Sequence, residues 1–97
     1  MVNKDIHRRE IRINPEASAS AHDDGIVILD SRRGRIFSSN LAGKCIWRSI
    51  EHRLSFEGVV EALGSEFRIA GTTAREHAAL FLAELERHTL IERRANG

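Results

Sequence analysis

One cysteine and five histidines are the residues of this chain with the most chemistry to offer. Cys45 stands next to Ile46 with no thiolate-stabilising motif around it, which predicts a packed, inert thiol. The histidines are His7, His22, His52, His77 and His88. His22 with Asp23 and Asp24 is a weak set for a metal, and no second cluster stands at ligand spacing. His77 and His88 lie three turns apart on one predicted helix, too far to share an ion. No nucleophile elbow, phosphate loop or dinucleotide fingerprint occurs. Gly25 and Gly34 flank a predicted strand, where turn geometry accounts for them. No metal or other cofactor is expected, and the chain reads as a binding protein without catalysis.

Ninety-seven residues make one domain, long enough for a modest core. A hydrophobic share of 41% and a charged share of 30% are those of an ordinary globular protein. No apolar run approaches the ~18 residues of a membrane span, and Met1–Asp5 is no signal peptide. With one cysteine there is no internal disulfide, so a cytoplasmic protein without membrane contact is the expectation. Fifteen basic against 14 acidic residues leave a net charge of +1, which argues against attraction to nucleic acid. Arginines are locally dense in 8–12 and in 32–35, as solvated edges and turns would have them.

The elements follow from period and punctuation. Residues 5–13 (DIHRREIRI) alternate at Ile11 and Ile13 and predict a half-buried strand. Asn14-Pro15 ends it, and 13–24 read as a loop of small polar residues. Residues 25–30 (GIVILD) predict a strand buried on both faces. A tight turn with Gly34 leads to a return strand at 35–39, in which Ile36 and Phe37 point to opposite faces. Asn40 is an N-cap for a helix to about Ile50, with Ala42, Cys45, Ile46 and Ile50 on one face and Trp47 off it. Gly43 reads as a point of close approach. Ser55 caps a second helix to Phe67, with Phe56, Val59, Val60, Leu63 and Phe67 in one arc. Thr73 and Glu76 fit a capping box for a third helix to about His88. Its core stripe is Ala74, Ala78, Phe81 and Leu85, with Leu82 beside it. Leu90-Ile91 closes as a short extended segment, and 93–97 form a polar tail.

This order predicts an α+β fold: a small winged-helix-like domain with a three-stranded antiparallel sheet followed by three helices. The sheet would comprise 5–13, 25–30 and 35–39. The most apolar strand, 25–30, takes the middle, which leaves 35–39 as an edge with unpaired backbone groups.

Three segments together resemble the PqqD-like family: Asp24–Asp30 with Gly34–Phe37, then Asn40–Trp47, and then Leu54–Val60. Phe81–Leu85 followed by Leu90–Glu92 is similar to that family's last helix and exit. The resemblance covers about residues 24–92. Two positions depart from it: Ser39 stands where a large aliphatic is usual, and Thr89 where a glycine is usual. The resemblance implies a recognition element for ribosomally made, later modified peptides, as in pyrroloquinoline quinone and lasso-peptide pathways. Its partners would be the leader region of a precursor peptide and a separate maturation enzyme, such as a leader peptidase, a cyclase or a radical-SAM protein. The leader would add as a strand beside the third strand, in a groove walled by the third helix.

The residues agree with such a groove. Ile28, Arg35, Ile36, Phe37, Ser38 and Ser39 are its candidate sheet side. His77, Leu80, Phe81 and Glu84 are its candidate helix side, with Leu80 as an apolar grip between polar rims. The plain reading of Phe37 and Phe81 is core, beside which stands a pocket floor for a leader side chain. The main rival is a winged-helix DNA-binding protein using Arg32, Arg33 and Arg35 as a wing. Against it, the third helix mixes Arg75 and Arg87 with Glu76, Glu84 and Glu86. A bare assembly module that bridges two proteins is a further alternative.

Overall fold

A computed structural model describes the backbone of residues 9–95. The chain begins with β1 (Arg9–Ile13), β2 (Ala17–His22), β3 (Gly25–Asp30) and β4 (Arg35–Ser39). Three helices follow, α1 (Leu41–Glu51), α2 (Phe56–Phe67) and α3 (Gly71–Arg87), and β5 (Ile91–Ala95) ends the described chain. The main sheet is antiparallel in the order β2-β3-β4, and β1 pairs separately with β5. A three-stranded antiparallel sheet followed by three helices is the predicted α+β class.

One strand of the expected sheet is replaced. Residues 13–24 were expected to be a loop, but Ala17–His22 pairs with the whole of β3, from Ala17 opposite Asp30 to His22 opposite Gly25. Its residues alternate Ala with Ser or His, but alanine is too small to mark an apolar face, and five of the six are exposed. The two-residue Asp23–Asp24 connection, followed by Gly25, folds it back onto the apolar strand. The strand expected over 5–13 is seen at Arg9–Ile13, and residues 5–8 lie outside the described residues. It pairs with β5, Ile13 opposite Ile91 and Ile11 opposite Arg93, so the expected polar tail is in part a strand. Asn14 ties this ribbon to the last helix: its backbone N–H donates to Leu90 O (2.9 Å) and its side-chain amide to Thr89 O (2.9 Å).

The helices are placed by their caps. Asn40 Oδ1 accepts from the Gly43 amide (3.1 Å) and Ser55 Oγ from the Gly58 amide (3.2 Å), as the sequence predicts. The capping box at Thr73 does not form. Helix α3 starts at Gly71 behind Ala70, with no side-chain cap. Arg68 ends α2 in the left-handed region at φ 53°, and the Ile69 N–H returns to Gly64 O (3.2 Å). The chain reverses so tightly there that the next helix begins before the threonine.

The core lies between the inner face of β3 and the three helices, and includes Ile26, Ile28, Ile46, Trp47, Val59, Leu63, Leu82 and Leu85. Helix α1 is wedged among β3, β4, β1 and α2, so it is buried over a wider arc than its apolar stripe. Trp47, off that stripe, is fully buried, and its Nε1 donates to Glu51 Oε2 (3.0 Å). On α3 the buried stripe is Ala74, Ala78, Leu82 and Leu85. Phe81 is therefore only partly buried, at the margin of the stripe and not at its centre.

Candidate functional site

Strand β4 is an edge of the sheet. Along it, Arg35 pairs with Asp30, Phe37 with Ile28 and Ser39 with Ile26. A Cβ added at Gly25 would overlap the Ser39 carbonyl oxygen, so that oxygen is directed towards β3. Close approach, rather than turn geometry, is thus what requires glycine at 25. In an antiparallel pair the N–H and C=O of one residue point to the same side and alternate along the strand. Ser39, Phe37 and Arg35 therefore bond inward to β3. Ile36 and Ser38 direct their backbone groups outward, away from the sheet.

Side chains alternate as well, but between the two faces of the sheet. Phe37 and Ser39 are half-buried on the face towards the helices, whereas Ile36 and Ser38 are exposed on the other. Arg35 shares the face of Phe37. On the outer face Ile36, 71% exposed, stands opposite Leu29, 41% exposed, as a small apolar patch. Ile28 is completely buried under the ladder and supports Phe37 from within, so it offers no surface of its own.

Helix α3 closes the other side. At 100° per residue His77, Phe81, Glu84 and His88 fall on one stripe beside the buried one. Phe37 meets this stripe twice. Its ring packs edge-on against Phe81, with centroids 6.0 Å apart, and lies 5.4 Å from the ring of His88. Two half-buried phenylalanines thus floor a shallow groove between the strand edge and the helix. At its far end, a Cβ added at Gly43 would come within 2.6 Å of Ser39 Cβ and 2.9 Å of Phe81 Cζ. The strand, the first helix and the last helix meet there, and Ser39 fits that junction because it is small. Glu84 is held by Arg87, and its carboxylate lies 3.5 Å from His88 Nε2. His77 and Leu80 are exposed, and Leu80, at 71% exposure, lies about 60° round the helix from the stripe.

The structure brings Phe37, Ser39, Phe81 and Glu84 to one groove and adds His88, which the sequence offers only as the end of the third helix, too far from His77 to share an ion. The signal was available: His88 follows Glu84 by four residues and Phe81 by seven. His77 stands further up the same stripe, and Leu80 sits on the groove's outer shoulder.

Charge around the groove is uneven. The Asp30 side chain is buried, which pushes its pKa up. Hydrogen bonds from the Arg33 and Arg32 amides and the Arg33 guanidinium outweigh this and hold it below the usual aspartate range. Asp30 Oδ1 accepts from the Arg32 and Arg33 amides (3.1 and 3.2 Å), which fixes the turn. On α3, Arg75 is committed to Glu57 through two bonds of 2.8 and 2.6 Å. What that helix leaves outward includes Glu76, a poor surface for a phosphate backbone. Burial, with the Glu66 carboxylate nearby, pushes the Cys45 thiol up to about 11, so it is protonated and unreactive. Among the described residues no three His, Cys, Asp or Glu side chains gather as a metal site, and no helix is long and apolar enough to cross a membrane.

Comparison with known proteins gives the geometry a context. Residues 25–91 match the family model described as coenzyme PQQ synthesis protein D (PqqD). No curated protein matches the chain in sequence. Among solved structures, TbiB1 in complex with the TbiA(beta) leader peptide is 26% identical, with a TM-score of 0.78 over 84% of this chain and 94% of that one. Lasso peptide synthetase B1 complexed with the leader peptide is 27% identical, with a TM-score of 0.76 over 84% of this chain and 96% of that one.

Proposed function

The chain belongs to the PqqD family, and we propose, since one edge of its sheet stands open beside a helix among the described residues, that it captures the leader segment of a ribosomally made precursor peptide. The leader adds to β4 as a fourth strand and is held there for a separate maturation enzyme. The observation that carries this reading is the edge itself. The Ile36 and Ser38 backbone groups point outward over a floor of Phe37 and Phe81. Backbone bonds to those two residues supply affinity without sequence demands, and the aromatic floor selects apolar side chains at alternate peptide positions. Both solved structures of similar fold hold leader peptides. The chain does no chemistry of its own in this account: its one thiol is buried and protonated, and its groove histidine is packed against a phenylalanine. The outer sheet face, where Leu29 and Ile36 are exposed, stays open to the partner enzyme. A cytoplasmic setting, where precursor peptides are made, fits the single free thiol.

A leader that orders on binding loses part of its contact energy to entropy. Micromolar to submicromolar binding is expected, about −8 to −10 kcal/mol. Calorimetric titration with the leader region of a precursor encoded beside this chain checks it. The heat-capacity change should be negative, and the affinity should survive 0.5 M salt to within a few-fold. Absence of binding to any such leader contradicts the assignment.

A further inference from the structure

Peptide capture by β4 leaves one feature of the groove without a role. The β3–β4 turn and the first residue of β4 carry Arg32, Arg33 and Arg35 against a single carboxylate, Asp30. The three arginines are not equivalent. Arg33 is engaged with Asp30, its Nη1 lying 3.4 Å from Oδ2. Arg32 and Arg35 are exposed and form no ion pair among the described residues. Their guanidinium groups therefore add to a net +2 over residues 30–35 at one end of the groove.

Position decides what that charge serves. Arg35 lies two residues before Phe37, so it stands on the same face of β4, about 7 Å along the strand. That face is the one turned towards α3. Phe37 lies against His88 at the C-terminal end of α3, so the Arg35 end of β4 is also the open end of the groove. Beyond it, between the β3–β4 turn and the residues after α3, a cavity of about 420 Å³ is lined by Asn14, Arg33, Glu86, Thr89 and Arg93 among others. Its own charges are largely committed, since Arg93 bonds Glu86 (3.1 Å) and Arg33 bonds Asp30. The free positive charge is on the strand side, on Arg35 and Arg32.

We propose that Arg35, assisted by Arg32, accepts a carboxylate side chain of the bound peptide immediately outside its strand-forming segment. This rests on peptide capture at β4 and adds a specificity to it: the ligand is apolar where it lies over Phe37 and Phe81, and acidic where it leaves the groove past the turn. A planar guanidinium binds a carboxylate through two parallel N–H donors, which a solvated lysine would not match. The charge also fixes direction, because an acid at one end of an added strand sets which way the strand runs. A phosphate polyanion fits the same arginines less well. It would have to pass Glu84 on the facing stripe of α3.

The test needs no knowledge of the natural ligand. A displayed library of random 20-residue peptides is selected on the intact chain and, in parallel, on an R32E/R35E variant. Both substitutions fall on exposed side chains that form no ion pair among the described residues. Because Arg35 stands opposite the buried Asp30, circular dichroism checks the fold of this variant and of R32S/R35S, which adds no like charge there. The wild-type chain should enrich apolar segments with Asp or Glu at a fixed offset on one side. The variant should enrich the same segments with Lys or Arg there. Replacing the acid of one selected peptide by its amide should weaken wild-type binding about three- to tenfold at low salt, and R32S/R35S binding by less than twofold. Apolar segments enriched without any acidic preference would overturn the proposal while leaving capture at β4 intact. No enriched segment, or binding that leaves β4 unperturbed, would overturn both. Duplex DNA that binds the wild type and is lost in R32S/R35S would overturn the proposal in favour of a phosphate ligand.

Discussion

At the scale of single residues, two positions that depart from the family pattern find opposite explanations. Thr89 replaces the usual glycine, yet its backbone keeps a glycine conformation at φ 58°. A β-branched residue there carries strain of about 1–2 kcal/mol. Thr89→Gly should therefore stabilise the protein by about 0.5–1 kcal/mol after the extra entropy of an unfolded glycine is deducted, read from urea denaturation at constant m-value. Ser39 is a different case: its small side chain fits the three-way junction at Gly43 and Phe81. A second residue-scale consequence concerns acid. The Asp30 pKa is lowered in the folded state, so its contribution is complete above the ordinary aspartate value and lost as pH falls through the lower folded value. Stability should fall below about pH 4. Asp30→Asn, which keeps an acceptor for the turn amides but loses the charge, should flatten that part of the profile when thermal midpoints are compared from pH 2 to 6.

At the scale of elements, what the sequence makes legible depends on how local the determinant is. Strands β3 and β4, helices α1 and α2, and the edge status of β4 follow from one apolar strand, one glycine turn and two capping residues, all within a few positions of what they control. Strand β2 is hidden because the alternation in ASASAH is of Ala with Ser or His, without the bulk that marks an apolar face; only its pairing with an apolar neighbour makes it a strand. The pairing of β1 with β5 joins opposite ends of the chain, and no local signal announces it. In the groove, Phe37 and Phe81 are legible by type, but His88 is not, because the expected groove face of α3 is centred on Leu80, about 60° round the helix from the stripe that meets Phe37. The direction of the β4 backbone groups could not be read from sequence at all, since it depends on register. That direction now supports a sharp prediction. Ser38→Pro removes an outward N–H and leaves the β3–β4 ladder intact. It should weaken leader binding tenfold or more while costing little stability, whereas Ser39→Pro breaks an inward bond and should lower the thermal midpoint. Calorimetry and thermal melts on the two variants check both halves.

At the scale of the whole molecule, the fold is arranged around an unfinished sheet. Its first and last described strands pair in the β1–β5 ribbon, three helices cover one face, and the outer edge of the strand next to α3 has no neighbour among the described residues. The second edge, β2, is also open, but its exposed Ala and Ser side chains provide no aromatic floor and no facing helix among the described contacts. A peptide gains both backbone bonds and apolar burial only at β4. The most direct measurement is amide hydrogen exchange, followed by NMR, on the free chain and on the chain saturated with a leader peptide. The account predicts that the Ile36 and Ser38 amides exchange quickly in the free protein and become protected on binding, with chemical-shift changes at His77, Phe81 and His88. Saturable binding that leaves those two amides in fast exchange, or that protects β2 instead, would contradict it.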